Sequence, residues 1–280
     1  EHPDRDEAWA DAERARIGEE RFRREHECEF LIFDETLISS IVLADMEGVA
    51  PVETTGQVRW FKRPTPGHTY MVSLDPSMGT GGDYAAIQVF ELPTFEQVGE
   101  WHHNQTPMNQ QIRILQGINK HIHDTIMEAD ATATPQIFYS MENNTIGEAA
   151  LMRVMDIGEE NIMGMFLSEP IRKGHRRKFR RGFNTTAKHK IDACTKFKEL
   201  VENEKMKINS QLLISEMKDF VATGLSYKAK PGQHDDLVSA CLLMTRMMKV
   251  LADFDPKIFE KWTDRTSEIT PMPIFGSFTG

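Results

Sequence analysis

Cysteine is scarce in this chain: Cys28, Cys194 and Cys241 are the three in 280 residues, and no two form a CxxC pair. Neither a disulfide framework nor a zinc-thiolate site is suggested, and a reducing cytoplasm fits. No apolar run approaches the roughly 20 residues of a membrane-spanning helix, and the first residues are charged rather than signal-like, so a soluble protein is expected. Nothing repeats internally, and no GxxxxGK[ST] phosphate loop occurs anywhere. Positive charge is short as well. Against 43 Asp and Glu stand 33 Lys and Arg, a formal charge of −10, which argues against coating nucleic acid through overall charge. A local grip stays open, because 172–181 is almost purely basic whereas residues 1–35 are rich in acids.

What is present is enough apolar residue, 40%, for a real core. Residues 1 to about 27 read as helical but carry too few large apolar side chains for a core of their own. The prolines and glycines of 49–67 suggest a linker or an irregular strand pair, so the compact domain is expected to start near Gly67. From there strands at 69–75, 84–92 and 97–103 form an antiparallel meander. A helix follows from Thr106-Pro107, with Thr106 as its N-cap and Ile112, Leu115, Ile118, Ile122 and Ile126 on its buried face. A fourth strand, 136–142, a helix to about Met155 and a fifth strand, 162–167, come next. Helices over 187–204, with Ile191 on the buried face, and 211–222 then lead to a last one over 235–250. The chain after Leu251 reads as a tail. Three segments result: 1–66, 67–251 and 252–280.

The chemistry sits at the ends of these elements. Asp75 closes the first strand before a glycine-rich turn, Glu142 closes the fourth, and Asp235 and Asp236 open the last helix. If the first and fourth strands are parallel neighbours, Asp75 and Glu142 stand side by side and a crossing helix adds a third carboxylate. Oxygen ligands without a Cys or His cluster favour Mg²⁺ or Mn²⁺, and two such ions suit phosphodiester hydrolysis. Asp83 belongs to the turn or supplies a fourth ligand, and His234 is a loop or supporting residue. Phosphate contacts are assigned to Arg172, Lys173, Arg176, Arg177, Lys178, Arg180, Arg181, Lys228 and Lys230, without base reading. Each piece alone has a plainer explanation: a turn aspartate, a helix-start glutamate, an N-cap pair and a solvated basic loop. Their order along the chain is what raises the combination above its parts.

Four stretches in order carry a resemblance: Leu74-Asp75-Pro76-Ser77 with Gly81-Gly82-Asp83-Tyr84, then 139–144, then Gly182-Phe183-Asn184-Thr185-Thr186, then His234-Asp235-Asp236-Leu237-Val238. Together they resemble the nuclease domain of the large terminase subunit of tailed phages, of the type in the large contractile-tailed phages. The resemblance implies a ribonuclease H-like α/β fold, a central mixed sheet flanked by helices. It also implies a metal-dependent endonuclease that cuts concatemeric double-stranded DNA to begin and end packaging and grips it during translocation into the procapsid. Asp75 and Glu142 match the first two catalytic acids, and the third falls in the Asp235-Asp236 pair, with Asp235 preferred for the leucine two positions on. Residues 18–30 are similar to the segment that ends the family's ATPase motor. Since the motor's phosphate loop is missing, the resemblance implies a nuclease piece of a longer subunit, with a naturally split subunit as the alternative. Its implied partners are that ATPase domain, the portal protein and the small terminase subunit, in the host cytoplasm on the procapsid, with no membrane. The rivals are a resolvase or transposase of the same fold, an actin-like or sugar kinase, and a module that grips DNA and docks on the portal without cutting.

Overall fold

The computed structural model describes residues 7–17, 22, 36–170 and 181–254. Its helices are α1 (Glu7–Ile17), α2 (Ser40–Asp45), α3 (Met108–Ala129), α4 (Thr145–Ile157), α5 (Ala187–Glu202), α6 (Gln211–Asp219) and α7 (Asp236–Phe254). Its strands are β1 (Glu53–Thr55), β2 (Val58–Trp60), β3 (Thr69–Asp75), β4 (Ala85–Leu92), β5 (Glu96–His103), β6 (Gln136–Met141), β7 (Met165–Phe166), β8 (Phe220–Thr223) and β9 (Ser226–Ala229). Among the described residues, β1 to β7 build one seven-stranded sheet in the order β1-β2-β5-β4-β3-β6-β7, and β8 and β9 form a separate hairpin. The meander β3-β4-β5 is antiparallel, whereas β6 lies parallel to β3 and β7 parallel to β6. This is the mixed α/β sheet expected. No helix of the described residues is long and apolar enough to cross a membrane.

Strand alternation sorts the core into two layers. Tyr70, Val72 and Leu74 of β3 pack with Ile112, Leu115 and Ile122 of α3 on one face. Met71 of β3 and Phe90 of β4 pack with Phe197 of α5, Met217 of α6 and Leu237 and Met244 of α7 on the other. The same alternation aims Ser73 at α7, where its hydroxyl donates to the Ala240 carbonyl at 2.8 Å. One step on, it sends Asp75 to that face too.

The packed body begins earlier than residue 67. The β1-β2 pair precedes that point, and β2 extends the sheet by pairing with β5. Gly99 makes this fit: a Cβ there would lie 2.8 Å from Trp60 Cε3, so the missing side chain lets the buried indole lie over β5. Leu37, Ile38 and Leu43 join the α7 face of the core, and Leu37 N–H donates to the Phe220 carbonyl at 3.0 Å.

Four local expectations are corrected. Thr106 does not cap α3: Pro107 stands at the N-cap, and the Thr106 hydroxyl pairs with His103 Nδ1 at 2.7 Å. The 162–167 strand is paired only over Met165–Phe166, since Gly164 turns the chain at φ +105 just before it. Ile191 is 39% exposed rather than buried, while Cys194, Phe197 and Leu200 carry the α5 face. The 211–222 helix stops at Asp219, where Phe220 adopts extended backbone and opens the β8-β9 hairpin.

Candidate active site

The β3-β6 register decides the site. Leu74 pairs with Met141, and Glu142 N–H donates to the Leu74 carbonyl at 3.1 Å, so Asp75 and Glu142 are the next residues on adjacent parallel strands. Alternation along β6 puts Ile137, Tyr139 and Met141 on the α3 face and so turns Glu142 toward α7, as Asp75 is turned. Pro76 ends β3, and buried Gln111 holds the chain beyond it. Its amide accepts from Ser77 N–H at 3.3 Å and donates to the Ser77 carbonyl at 2.8 Å. On the other strand, Asn144 caps α4 by accepting from Ile146 and Gly147 N–H groups, which fixes the turn leaving Glu142.

The Asp75 and Glu142 carboxyls interact directly at the strand ends. The Asp75 carboxyl is pushed well above the usual carboxylate range, first by burial, then by the charge and hydrogen bond of Glu142, then by Asp236 and Asp235. Asp75 therefore senses all three of the other acids. Asp236 is raised to about 6 by burial and by Asp235, against the opposing pull of His234 and of the Tyr84 N–H on its carboxylate. Asp235 accepts from Ala229 N–H at 3.2 Å, and Lys190 Nζ lies 3.9 Å from it. A cavity of about 120 Å³ opens beside Asp75 and Glu142, lined also by His189, Lys190, Ser239 and Arg246. Among the described residues, no three His, Cys, Asp or Glu side chains already stand close enough together to hold an ion. The site is an acidic pair with two further acids around it.

The terminase RNaseH-like domain model matches residues 72–247, which is more than half of the sequence and contains every one of these acids. The chain belongs to the terminase RNaseH-like domain family. Solved structures share the fold at low identity. The large terminase nuclease from thermophilic phage G20c with bound magnesium aligns at 17% identity and a TM-score of 0.56, over 76% of this chain and 97% of that one. Its cobalt-bound form aligns at 16% and 0.55, over 76% and 97%. The Thermus phage P74-26 large terminase nuclease domain aligns at 17% and 0.51, over 72% and 92%.

Within this terminase domain the other expected residues fall in different places. Asp83 is exposed in the β3-β4 loop and adds its charge to Asp236. His234 Nδ1 lies 3.6 Å from Asp236 Oδ2 and meets the Tyr84 ring edge-on at 4.7 Å. Arg172, Lys173, Arg176, Arg177, Lys178 and Arg180 lie outside the described residues. Arg181 pairs with Glu159 and lies over the Phe166 ring, and Lys230 stands 3.5 Å from Asp219, so both cations already have carboxylate partners. Lys228 is exposed on β9.

The sequence reading missed three residues around the acids. Lys190, one α5 turn beyond the Thr186 cap, stands 3.9 Å from Asp235, with its ammonium 5.5 Å from the Phe220 ring centroid. Glu216 accepts from Leu237 and Val238 N–H at 2.8 and 3.1 Å, and burial above all raises it to about 8. Its other oxygen lies 3.6 Å from His102 Nε2, whose ring is stacked on Tyr84 at 4.1 Å and lowered to about 4 by burial. A glutamate directly beside buried Met217 was the one available signal.

Proposed function

We infer that this chain is the divalent-metal-dependent DNA endonuclease domain of a viral terminase large subunit. The observation that carries the reading is the in-register placement of Asp75 and Glu142 on parallel neighbours, with the α7 acids near enough to raise Asp75. A site made of carboxylates that disfavour one another's ionisation is one that a cation stabilises. The donor set is oxygen, which suits Mg²⁺ or Mn²⁺.

Asp75, Glu142 and one or both of Asp235 and Asp236 would hold the ions. Asp235 sits on the Lys190 side of the cluster and Asp236 on the Tyr84 side. Binding requires that Asp75 be ionised and that the α7 carboxylates turn toward the pair. When bound, two divalent cations activate water and stabilise the departing oxygen of a phosphodiester. The protein's own part is to fix the acids on rigid strand ends, to hold Lys190 where a phosphate oxygen would enter, and to bind the backbone of double-stranded DNA without reading bases. Docking to a portal protein, a small terminase subunit and an ATPase domain, and cutting of concatemers at the start and end of packaging, belong to the same reading.

Plasmid nicking with Mg²⁺, Mn²⁺ or EDTA tests it. Cutting is expected with a metal and lost in Asp75→Ala and Glu142→Ala, by more than the roughly 100-fold that losing an outer-shell partner of a metal costs. Asp235→Ala and Asp236→Ala, assayed separately, identify the third ligand. DNA binding without cutting under either metal would leave a gripping and docking module in place of the nuclease.

A further inference from the structure

Helix α7 is capped from outside itself. Asp235 occupies its N-cap, since the Asp235 carbonyl accepts from Ser239 N–H at 2.7 Å. An aspartate there ordinarily folds its carboxylate onto the N–H groups two and three residues further on. In this chain those groups, on Leu237 and Val238, both donate to Glu216 Oε2. The Asp235 carboxylate points elsewhere, to Ala229 N–H and Lys190. Glu216 comes from α6, and its side chain is only 10% exposed. Its free oxygen faces His102, which carries Tyr84, whose N–H in turn bonds Asp236. One glutamate thus supports the helix end directly and leads to the Asp236 side through two stacked rings.

We propose that Glu216 is a positioning residue for the acid pair: by capping α7 from α6 it releases the Asp235 carboxylate from capping and fixes how Asp235 and Asp236 are presented to Asp75 and Glu142. The proposal rests on the metal-dependent nuclease reading. Without the Glu216 oxygen, the Leu237 and Val238 N–H groups lose their acceptor, and the nearest acid able to replace it is Asp235 itself. A cation must then compete with the helix for that carboxylate. The consequence is weaker metal binding with an intact fold.

The test is Mn²⁺ titration calorimetry on the 280-residue chain without DNA, with metal-dependent plasmid cleavage alongside. Glu216→Ala is expected to weaken Mn²⁺ binding about 10-fold or more, as loss of an outer-shell partner does, and to leave KM for DNA unchanged at saturating metal. Glu216→Gln keeps an acceptor oxygen and is expected to bind Mn²⁺ like the unaltered chain. Unchanged Mn²⁺ affinity in Glu216→Ala, or equal losses in Ala and Gln, overturns the proposal. If Glu216→Ala does not fold, Glu216→Asp decides. One methylene too short to reach both N–H groups, it is expected to weaken Mn²⁺ binding, and an unchanged affinity overturns the proposal. An unaltered chain that binds and cuts while Glu216→Ala binds equally well removes only this inference. An unaltered chain that neither binds metal nor cuts removes the nuclease reading and this one with it.

Discussion

At Asp75, burial and three neighbouring carboxylates act in one direction, and all of them favour the protonated form. At Asp236 and Glu216 burial again leads and outweighs the hydrogen bonds that oppose it, raising them from 3.8 to about 6 and from 4.5 to about 8. The sign of the stability effect follows from linkage. A carboxyl raised on folding contributes stability that is full below its unfolded pKa and is lost as pH rises through the folded one. In EDTA these carboxyls are expected to lower the melting temperature between about pH 4 and about pH 8, opposed below about 6.5 by His102, whose lowered imidazole favours the fold as pH rises. Asp236→Asn should flatten the lower part of that fall and Glu216→Gln the upper part, and saturating Mn²⁺ should flatten the part that Asp75 and Asp236 contribute. A pH dependence unchanged in both Asp236→Asn and Glu216→Gln would contradict the burial assigned to these acids. The pKa pattern was out of reach of the sequence, because desolvation and carboxylate spacing depend on which segments meet. The four acids themselves were legible, since each closes or opens a periodic element.

The turn from β6 into α4 is where an element decides the site. A Cβ on Gly147 would lie 1.8 Å from the Glu142 carbonyl oxygen, closer than any real contact, so the first turn of α4 packs on the backbone of Glu142 itself. Gly147→Ala is expected to destabilise the fold by about 1–3 kcal/mol, as overpacking does, and to lower cleavage further than that loss explains by displacing Glu142. Asn144→Ala removes only the cap and should cost about 1 kcal/mol. Thermal melts and cleavage rates at one temperature well below both melting points separate the two effects. Helices α3, α5 and α7 were readable in the sequence because their apolar spacing is regular. The β8-β9 hairpin was not, because Phe220 and Val221 continue the apolar spacing of α6 and the change to extended backbone follows from pairing with Ala229 and Lys228. Thr106 failed as a cap for a similar reason: His103, brought close by β5, takes its hydroxyl.

Over the whole molecule the charge of −10 makes DNA binding a local matter. Binding is expected to weaken steeply with salt, by about 0.9 in log K per unit log salt for each phosphate neutralised. Lys228→Ala should lower that slope by about one. Lys230→Ala should change it less, because Asp219 already offsets Lys230. A slope unaltered in Lys228→Ala would remove β9 from the DNA-facing surface. Metal has a global effect too: Mn²⁺ at about 100 times its Kd stabilises the folded chain by about 2.7 kcal/mol if it binds only the folded form. The corresponding rise in melting temperature should be missing in Asp75→Ala.

Local pattern was sufficient for the three-strand meander, most of the buried faces of the long helices and the placement of Asp75, Glu142, Asp235 and Asp236 at element ends, since periodicity and element ends are properties of neighbouring residues. It was not sufficient for the extent of the packed body, because β2 joins the sheet through a contact between Trp60 and Gly99, which are 39 positions apart. Nor did it reveal what surrounds the acids. Lys190 and Glu216 reach the site from two different helices, and a residue that acts across such a distance leaves no spacing to read.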